Sequence, residues 1–142
     1  MVYTEVTVDI DAPPEKVWAV IEDVERWPGW TKSVHDLSLT TEGPFGVGSS
    51  ARIDLAGAAP SVWTVTEIEP GRMFVWESKA PGVLSVAAHA VEPRDGGSRV
   101  TLSVKNSGWL ATILTPYLTW VGRRNLKWES EGLKRRCEAP SP

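Results

Sequence analysis

The sequence has few residues that could build a covalent or metal-held framework. Of its 142 residues, one is cysteine, Cys137, and two are histidines, His35 and His89. A lone cysteine excludes an intrachain disulfide and a cysteine-rich zinc or iron–sulfur centre. The histidines fall on different predicted strands with no third ligand, so we expect no metal site and no cofactor. A chain of this length buries enough apolar surface to fold without such supports.

The sequence also lacks a long apolar run and an excess of positive charge. The longest uncharged stretch, 106–122, contains Pro116 and several polar residues, so it falls short of a membrane span. Acidic residues interrupt the N-terminal segment 1–10, which has no signal-peptide pattern. The net charge of −3 argues against a nucleic-acid partner, which would need a basic surface. We expect a cytoplasmic protein without nucleic acid and without stable membrane insertion.

Phenylalanine and tyrosine are scarce, at two each, whereas tryptophan occurs eight times. Tryptophan is large and amphipathic, and it is enriched where proteins recognise ligands or partners. The composition therefore suggests a site with wide, flat apolar walls.

The chain begins with a strand and a helix and continues as a run of short strands. Residues 2–10 alternate as a half-buried strand does, and Pro13–Glu15 favours a helix start. The segment 27–30 (WPGW) ends the helical stretch, which places Trp27 in an outer turn. Gly, Pro and Asp pairs then separate six predicted strands, near 34–42, 49–56, 61–69, 72–79, 84–92 and 98–106.

The last segment, from Leu110 to about Cys137, lacks a strand period and predicts one long helix, bent at Pro116 or Gly122. Such a helix cannot bury its apolar side alone, and an antiparallel sheet leaves one face uncovered. We therefore expect the helix to lie across a concave sheet and leave a cavity. Residues 1–138 form a single predicted domain, and 139–142 a disordered tail.

The chain resembles the START-like (SRPBCC) superfamily, in its polyketide cyclase/dehydrase branch. The resemblance rests on the order of elements and on five strings: 10–18 (IDAPPEKVW), 27–30 (WPGW), 46–48 (GVG), 65–72 (VTEIEPGR) and 96–101 (GGSRVT). It implies an α+β helix-grip fold, in which a curved antiparallel sheet wraps around a long C-terminal helix and two short helices follow the first strand. It also implies a deep pocket, but not an activity, because members bind lipids, hormones, quinones or polyketides and only some are enzymes.

Candidate ligand-binding residues come from the strands and from the last helix. Trp63, Phe74 and Trp76 lie on strand faces that would wall the pocket, although filling of the core explains any one of them equally well. On the helix, one stripe by i+3 and i+4 steps adds four candidates, which are Ile113, Tyr117, Trp120 and Arg124. Leu126, Leu133 and Cys137 form a second stripe, and periodicity does not decide which one faces the sheet.

His89 is the candidate ligand-orienting or catalytic residue, with a purely structural histidine as the alternative. It alternates with Ala87 and Val91, and the resemblance turns that face towards the cavity, where we expect Trp63 and Trp76 but no carboxylate.

The sequence thus favours a binder of a hydrophobic, aromatic, polyketide-like or lipid-like small molecule, as a monomer or homodimer. One alternative is a cyclase or dehydrase that uses His89 with Tyr117 or Arg124 as partner. A second alternative takes the uncharged segment 109–121 as a surface for a membrane or a partner protein.

Overall fold

A single antiparallel sheet of seven strands curls around the C-terminal helix in the computed structural model, which describes residues 1–140. The strand order is β1-β7-β6-β5-β4-β3-β2. The bounds of the strands are β1 Val2–Ile10, β2 Val34–Leu39, β3 Ser50–Leu55, β4 Ser61–Glu69, β5 Met73–Ala80, β6 Val83–Arg94 and β7 Gly97–Ser107. The predicted α+β helix-grip fold is confirmed, and the predicted strands agree with these bounds to within three residues.

Two short helices follow β1, and two helices follow β7. Helix α1 spans Pro14–Glu22 and a 3₁₀ helix spans Val24–Gly29. The C-terminal segment forms α2, Trp109–Ile113, and α3, Thr115–Glu138, rather than one continuous helix. The chain breaks at Leu114 because Pro116 has no N–H to continue the hydrogen-bond ladder and its ring crowds the preceding turn, so it is accommodated in the first turn of α3. At Gly122, the other expected bend, the helix continues.

Helix α3 packs against the sheet through its small and apolar side. Leu126, Leu133 and Cys137 are buried, so the second stripe faces the core. Burial raises the pKa of the Cys137 thiol to about 11, which keeps it protonated at neutral pH. Of the predicted tail 139–142, residues 141 and 142 lie outside the described residues.

The end of α3 is tied to the end of β1 by polar contacts. The Lys134 Nζ donates to the Asp9 carbonyl at 3.0 Å and to Glu138 Oε2 at 2.6 Å. The Asp11 N–H donates to the same carboxylate at 2.8 Å. The hydrogen bond from Asp11 and the one from Lys134 lower the pKa of Glu138, because both favour its charged form.

Trp27 lies in the core, so the prediction that it belongs to an outer turn is wrong. Its side chain is 3% exposed, its Nε1 donates to the Ile21 carbonyl at 3.0 Å, and its ring centroid lies 5.4 Å from that of Trp76. The reason is that the 3₁₀ helix packs on β2 and points this indole inward, where the Ile21 carbonyl satisfies the ring nitrogen.

Candidate functional site

A cavity of about 360 Å³ lies between the concave face of the sheet and α3. Its walls come from the 3₁₀ helix, from every strand except β1, and from one side of α3. The lining residues are Trp27, Ser33, Val34, Ile53, Leu55, Ala58, Ala59, Pro60, Ser61, Trp63, Trp76, Ser78, Ala80, Val83, Ser85, Ala87, His89, Val104, Asn106, Leu118, Val121, Asn125 and Glu129.

Strand alternation places large and small side chains opposite each other in this cavity. Trp63 and Trp76 lie 6.2 Å apart by ring centroids and form an aromatic wall. Trp76 pairs in register with Ala87 of β6, whose short side chain leaves the neighbouring space open. The cavity exists because β6 carries small residues where β4 and β5 carry indoles.

His89 is held from several sides at the inner end of the cavity. Its ring stacks on Phe74 at 4.3 Å, and its Nδ1 lies 3.4 Å from the carbonyl oxygen of the same residue. The carbonyl oxygen can only accept in this contact, so Nδ1 is its donor when it carries hydrogen, and Nε2 faces Glu129. The Nε2 atom lies 3.5 Å from Glu129 Oε1.

Glu129 corrects the expectation that no carboxylate lies near His89. Both side chains are buried, with residue exposures of 4% for His89 and 8% for Glu129. Glu129 continues a stripe of α3 that starts at Leu118 and passes through Val121 and Asn125. These positions follow i+3 and i+4 steps, so the sequence contained the signal, but the aromatic stripe beside it is more conspicuous.

Three helix residues predicted to line the cavity do not reach it. Ile113, Tyr117 and Trp120 are 66%, 46% and 58% exposed on the outside of α2 and α3. Packing of the Leu126 and Leu133 side of α3 against the core turns the aromatic stripe outward.

Arg124, the fourth helix candidate, also lies outside the cavity. Its guanidinium carbon sits 4.6 Å from the ring centroid of Trp120 and 4.7 Å from that of Trp128, in a cation–π sandwich. Tyr117 and Arg124 are therefore not positioned as catalytic partners of His89.

The strand candidates are placed as predicted, except for Phe74. Trp63, Trp76 and His89 line the cavity, whereas Phe74 is fully buried behind it. Phe74 supports the imidazole from the side away from the cavity. Trp27, which sequence reasoning assigned elsewhere, takes a place in the wall.

The remaining polar groups of the cavity are neutral and partly paired. Ser85 Oγ donates to Asn106 Oδ1 at 2.6 Å, and Asn125 Nδ2 donates to the Ala56 carbonyl at 2.9 Å. None of the described lining residues is lysine or arginine. His89 and Glu129 are thus the ionisable groups of the lining, at one end of an otherwise apolar space.

A metal centre and a membrane-spanning helix both lack support in residues 1–140. Across this range, no group of three or more His, Cys, Asp or Glu side chains is arranged to hold a metal ion. Nor does any helix in it have the length and apolar character needed to cross a membrane.

Comparison with protein families gives a match over residues 1–138 to the family described as "Polyketide cyclase / dehydrase and lipid transport". A curated relative, an uncharacterised protein of Mycobacterium tuberculosis, is 26% identical over 99 residues. That match covers 67% of this chain and 59% of the relative, so the chain spans less than two thirds of the relative's length.

Solved structures share the fold at low sequence identity. A Thermus thermophilus protein has a TM-score of 0.79 at 20% identity, with 99% of each chain covered. An aromatase/cyclase of a Streptomyces species has a TM-score of 0.77 at 20% identity, covering 96% of this chain and 93% of that one. A START superfamily protein of Mycobacterium smegmatis has a TM-score of 0.78 at 14% identity, covering 96% and 97%.

Proposed function

The chain belongs to the polyketide cyclase/dehydrase and lipid transport family of the START-like superfamily, and we propose that it binds a hydrophobic small molecule in the cavity under α3. The observation that carries the proposal is the cavity of about 360 Å³ with indole walls and one buried polar pair. Sites for small organic ligands typically combine an apolar surround with a few placed polar groups.

The ligand we propose is aromatic or polycyclic, of polyketide-like or lipid-like character. Trp27, Trp63 and Trp76 offer flat faces against which a ring system can stack. A hydroxyl or carbonyl group of the ligand would lie at the inner end, near His89 and Glu129. With no cation in the described lining, an anionic headgroup would be left unpaired if it were buried there.

Filling the cavity tests this proposal directly. Ala87 lines the cavity, whereas its neighbour Ala88 lies on the opposite face of β6. Ala87→Phe should therefore block the space, and Ala88→Phe is the matched control with the same substitution. The measurement is fluorescence titration with N-phenyl-1-naphthylamine, an uncharged aromatic probe.

We expect the wild-type protein and Ala88→Phe to bind the probe with low micromolar Kd, which corresponds to about −8 kcal/mol. Ala87→Phe should bind it at least tenfold more weakly. Equal affinity of the two variants would place the binding site elsewhere. If Ala87→Phe alone loses affinity for the probe, native mass spectrometry of protein purified from its own host would identify the natural ligand.

A cyclase or dehydratase activity is the second candidate, and the contact between His89 and Glu129 favours it. On a β-hydroxy ketone, His89 Nε2 would take a proton from the carbon next to the carbonyl, and the electron pair would pass into an enolate. The imidazolium would return that proton to the departing hydroxyl group, which leaves as water. Glu129 would be a positioning residue that stabilises the imidazolium.

Glu129→Gln separates the two candidates. For an enzyme, it should keep ligand affinity within about threefold and lower kcat by roughly a hundredfold or more. For a binder, product analysis with an aromatic-precursor poly-keto substrate should detect no turnover by the wild-type protein. A kcat of Glu129→Gln equal to that of the wild-type protein would exclude a catalytic role of the pair formed by His89 and Glu129.

A further inference from the structure

An exposed aromatic surface stands at the opening of the cavity. It comprises five large apolar residues of α2, the break and the first turns of α3, with exposed fractions between 37% and 66%. We call it the aromatic rim, and its members are Trp109, Ile113, Leu114, Tyr117 and Trp120. A monomeric protein rarely exposes so many large apolar side chains in one short segment without a binding role.

Contacts of the rim fix its position at the cavity mouth. The N–H of Leu110 donates to the Gly82 carbonyl in the β5–β6 turn at 3.0 Å. The Tyr117 hydroxyl donates to the Gly57 carbonyl in the β3–β4 loop. The solvent-exposed part of the cavity lining lies beside these contacts, at Ala80, which ends β5, and at residues 58–60 of the β3–β4 loop. A surface that covers the rim would therefore also cover the mouth.

The segment of chain that carries the rim has charge of one sign only. No aspartate or glutamate occurs between Asp95 and Glu129, a segment that contains five Lys or Arg residues. On α3, Arg123, Arg124 and Lys127 follow Trp120 by i+3, i+4 and i+7 steps, so they share its side of the helix. The nearest acidic residue on that side, Glu131, lies eleven residues from Trp120, or about 16 Å along the axis.

We propose that the aromatic rim docks the protein on lipid bilayers that contain anionic phospholipids, with the cavity mouth facing the membrane. Tryptophan and tyrosine prefer the boundary between water and hydrocarbon, and lysine and arginine on the same face bind anionic headgroups. The rim lies on short amphipathic turns, so it rests in the interface and does not span the bilayer. A hydrophobic ligand would then pass between bilayer and cavity without crossing water; this step alone rests on the proposed function.

Vesicle co-sedimentation of the full chain tests the docking. The vesicles are phosphatidylcholine alone, or phosphatidylcholine with phosphatidylglycerol at about 3:1. The rim variant is Ile113→Gln/Trp120→Gln, since both side chains are more than half exposed. The matched control is Val47→Gln/Val62→Gln, which changes two exposed valines outside the rim. Circular dichroism confirms that both variants keep the fold.

We expect wild type and control to bind the mixed vesicles at least fivefold more strongly than phosphatidylcholine alone. The rim variant should lose at least fivefold of that binding, and Arg123→Gln/Lys127→Gln should remove most of the dependence on phosphatidylglycerol. Added salt at about 0.5 M should weaken the binding, since it screens exposed charges.

Three results would overturn the proposal. They are no vesicle binding by the wild-type protein, equal binding by rim variant and control, and a dimer that the rim variant converts to monomer in sedimentation analysis. The last result would assign the rim to a second copy of the chain. Failure of the docking proposal can be distinguished from failure of the ligand-binding proposal. Ala87→Phe should no longer bind the naphthylamine probe but should still bind the vesicles.

Discussion

At the scale of single residues, the polar contact between His89 and Glu129 is the feature that distinguishes the cavity from ordinary core. Both side chains are removed from water, and the surrounding walls are mostly apolar. Burying a polar or charged group is unfavourable unless it is paired, so each residue compensates for the burial of the other. Phe74 completes the arrangement, because its ring stacks on the imidazole and its carbonyl oxygen faces the Nδ1 atom.

We predict that His89→Phe destabilises the protein because it leaves the Glu129 carboxylate buried without its partner. The free energy of unfolding should fall by about 1 to 3 kcal/mol in urea denaturation. Adding Glu129→Leu should recover part of this loss, since leucine fits beside Leu118 and Val121 without needing a hydrogen bond. Strictly additive effects in the double-mutant cycle would show that the two side chains do not interact.

At the scale of elements, the position of α3 is set by close approaches of its backbone. A Cβ at Gly132 would collide with the Trp30 carbonyl oxygen, and one at Gly122 would lie 3.0 Å from Thr4 Oγ1. Glycine at these positions lets the helix pack tightly on the Trp30 loop and on β1. This packing also fixes the rotation of the helix, which turns Glu129 into the cavity and Trp120 out of it.

We predict that Gly132→Ala lowers stability by about 1 to 3 kcal/mol, since the clash is with backbone and the helix must shift to relieve it. Gly29→Ala is the control, because nothing lies within 4 Å of a Cβ at that position. Thermal denaturation of the two variants measures the difference. A Gly132→Ala protein as stable as the control would mean that α3 does not approach the Trp30 loop this closely.

At the scale of the whole molecule, the sheet and α3 depend on each other. The curled sheet has its concave apolar face covered by α3, and the ends of α3 and β1 are joined through Lys134 and Glu138. The same covering helix forms one wall of the cavity and carries part of the rim. The cavity, its mouth and the stability of the whole protein therefore all depend on α3.

We predict that a chain ending at Gly108 fails to fold cooperatively. It would lack α2 and α3 and would expose the concave face of the sheet, including Trp63 and Trp76, which promotes aggregation. Circular dichroism and gel filtration test this directly. A soluble, monomeric fragment with a cooperative melting transition would contradict the mutual dependence of sheet and helix.

The sequence alone was sufficient for the local and repetitive features. Alternation identified β1 as Val2–Ile10, and the Gly and Pro turns separated the other strands, because strand period and turn chemistry are properties of neighbouring residues. Alternation also placed Trp63 and Trp76 on the faces of their strands and grouped His89 with Ala87, whereas the family resemblance turned the His89 face towards the cavity. The break before α3 also had a local cause in Pro116.

Only the tertiary structure decided which helix stripe meets the cavity and where the buried carboxylate lies. The aromatic stripe, the stripe through Leu126 and the cavity stripe that ends at Glu129 all satisfy the helical period. The choice among them depends on Gly132 and Leu133 packing against elements distant in sequence. The segment 27–30 predicts that Trp27 belongs to an outer turn, yet the 3₁₀ helix points its side chain inward. Periodicity gives the angle between side chains on one helix, but the rotation of that helix against the sheet is fixed by long-range packing, which no local pattern contains.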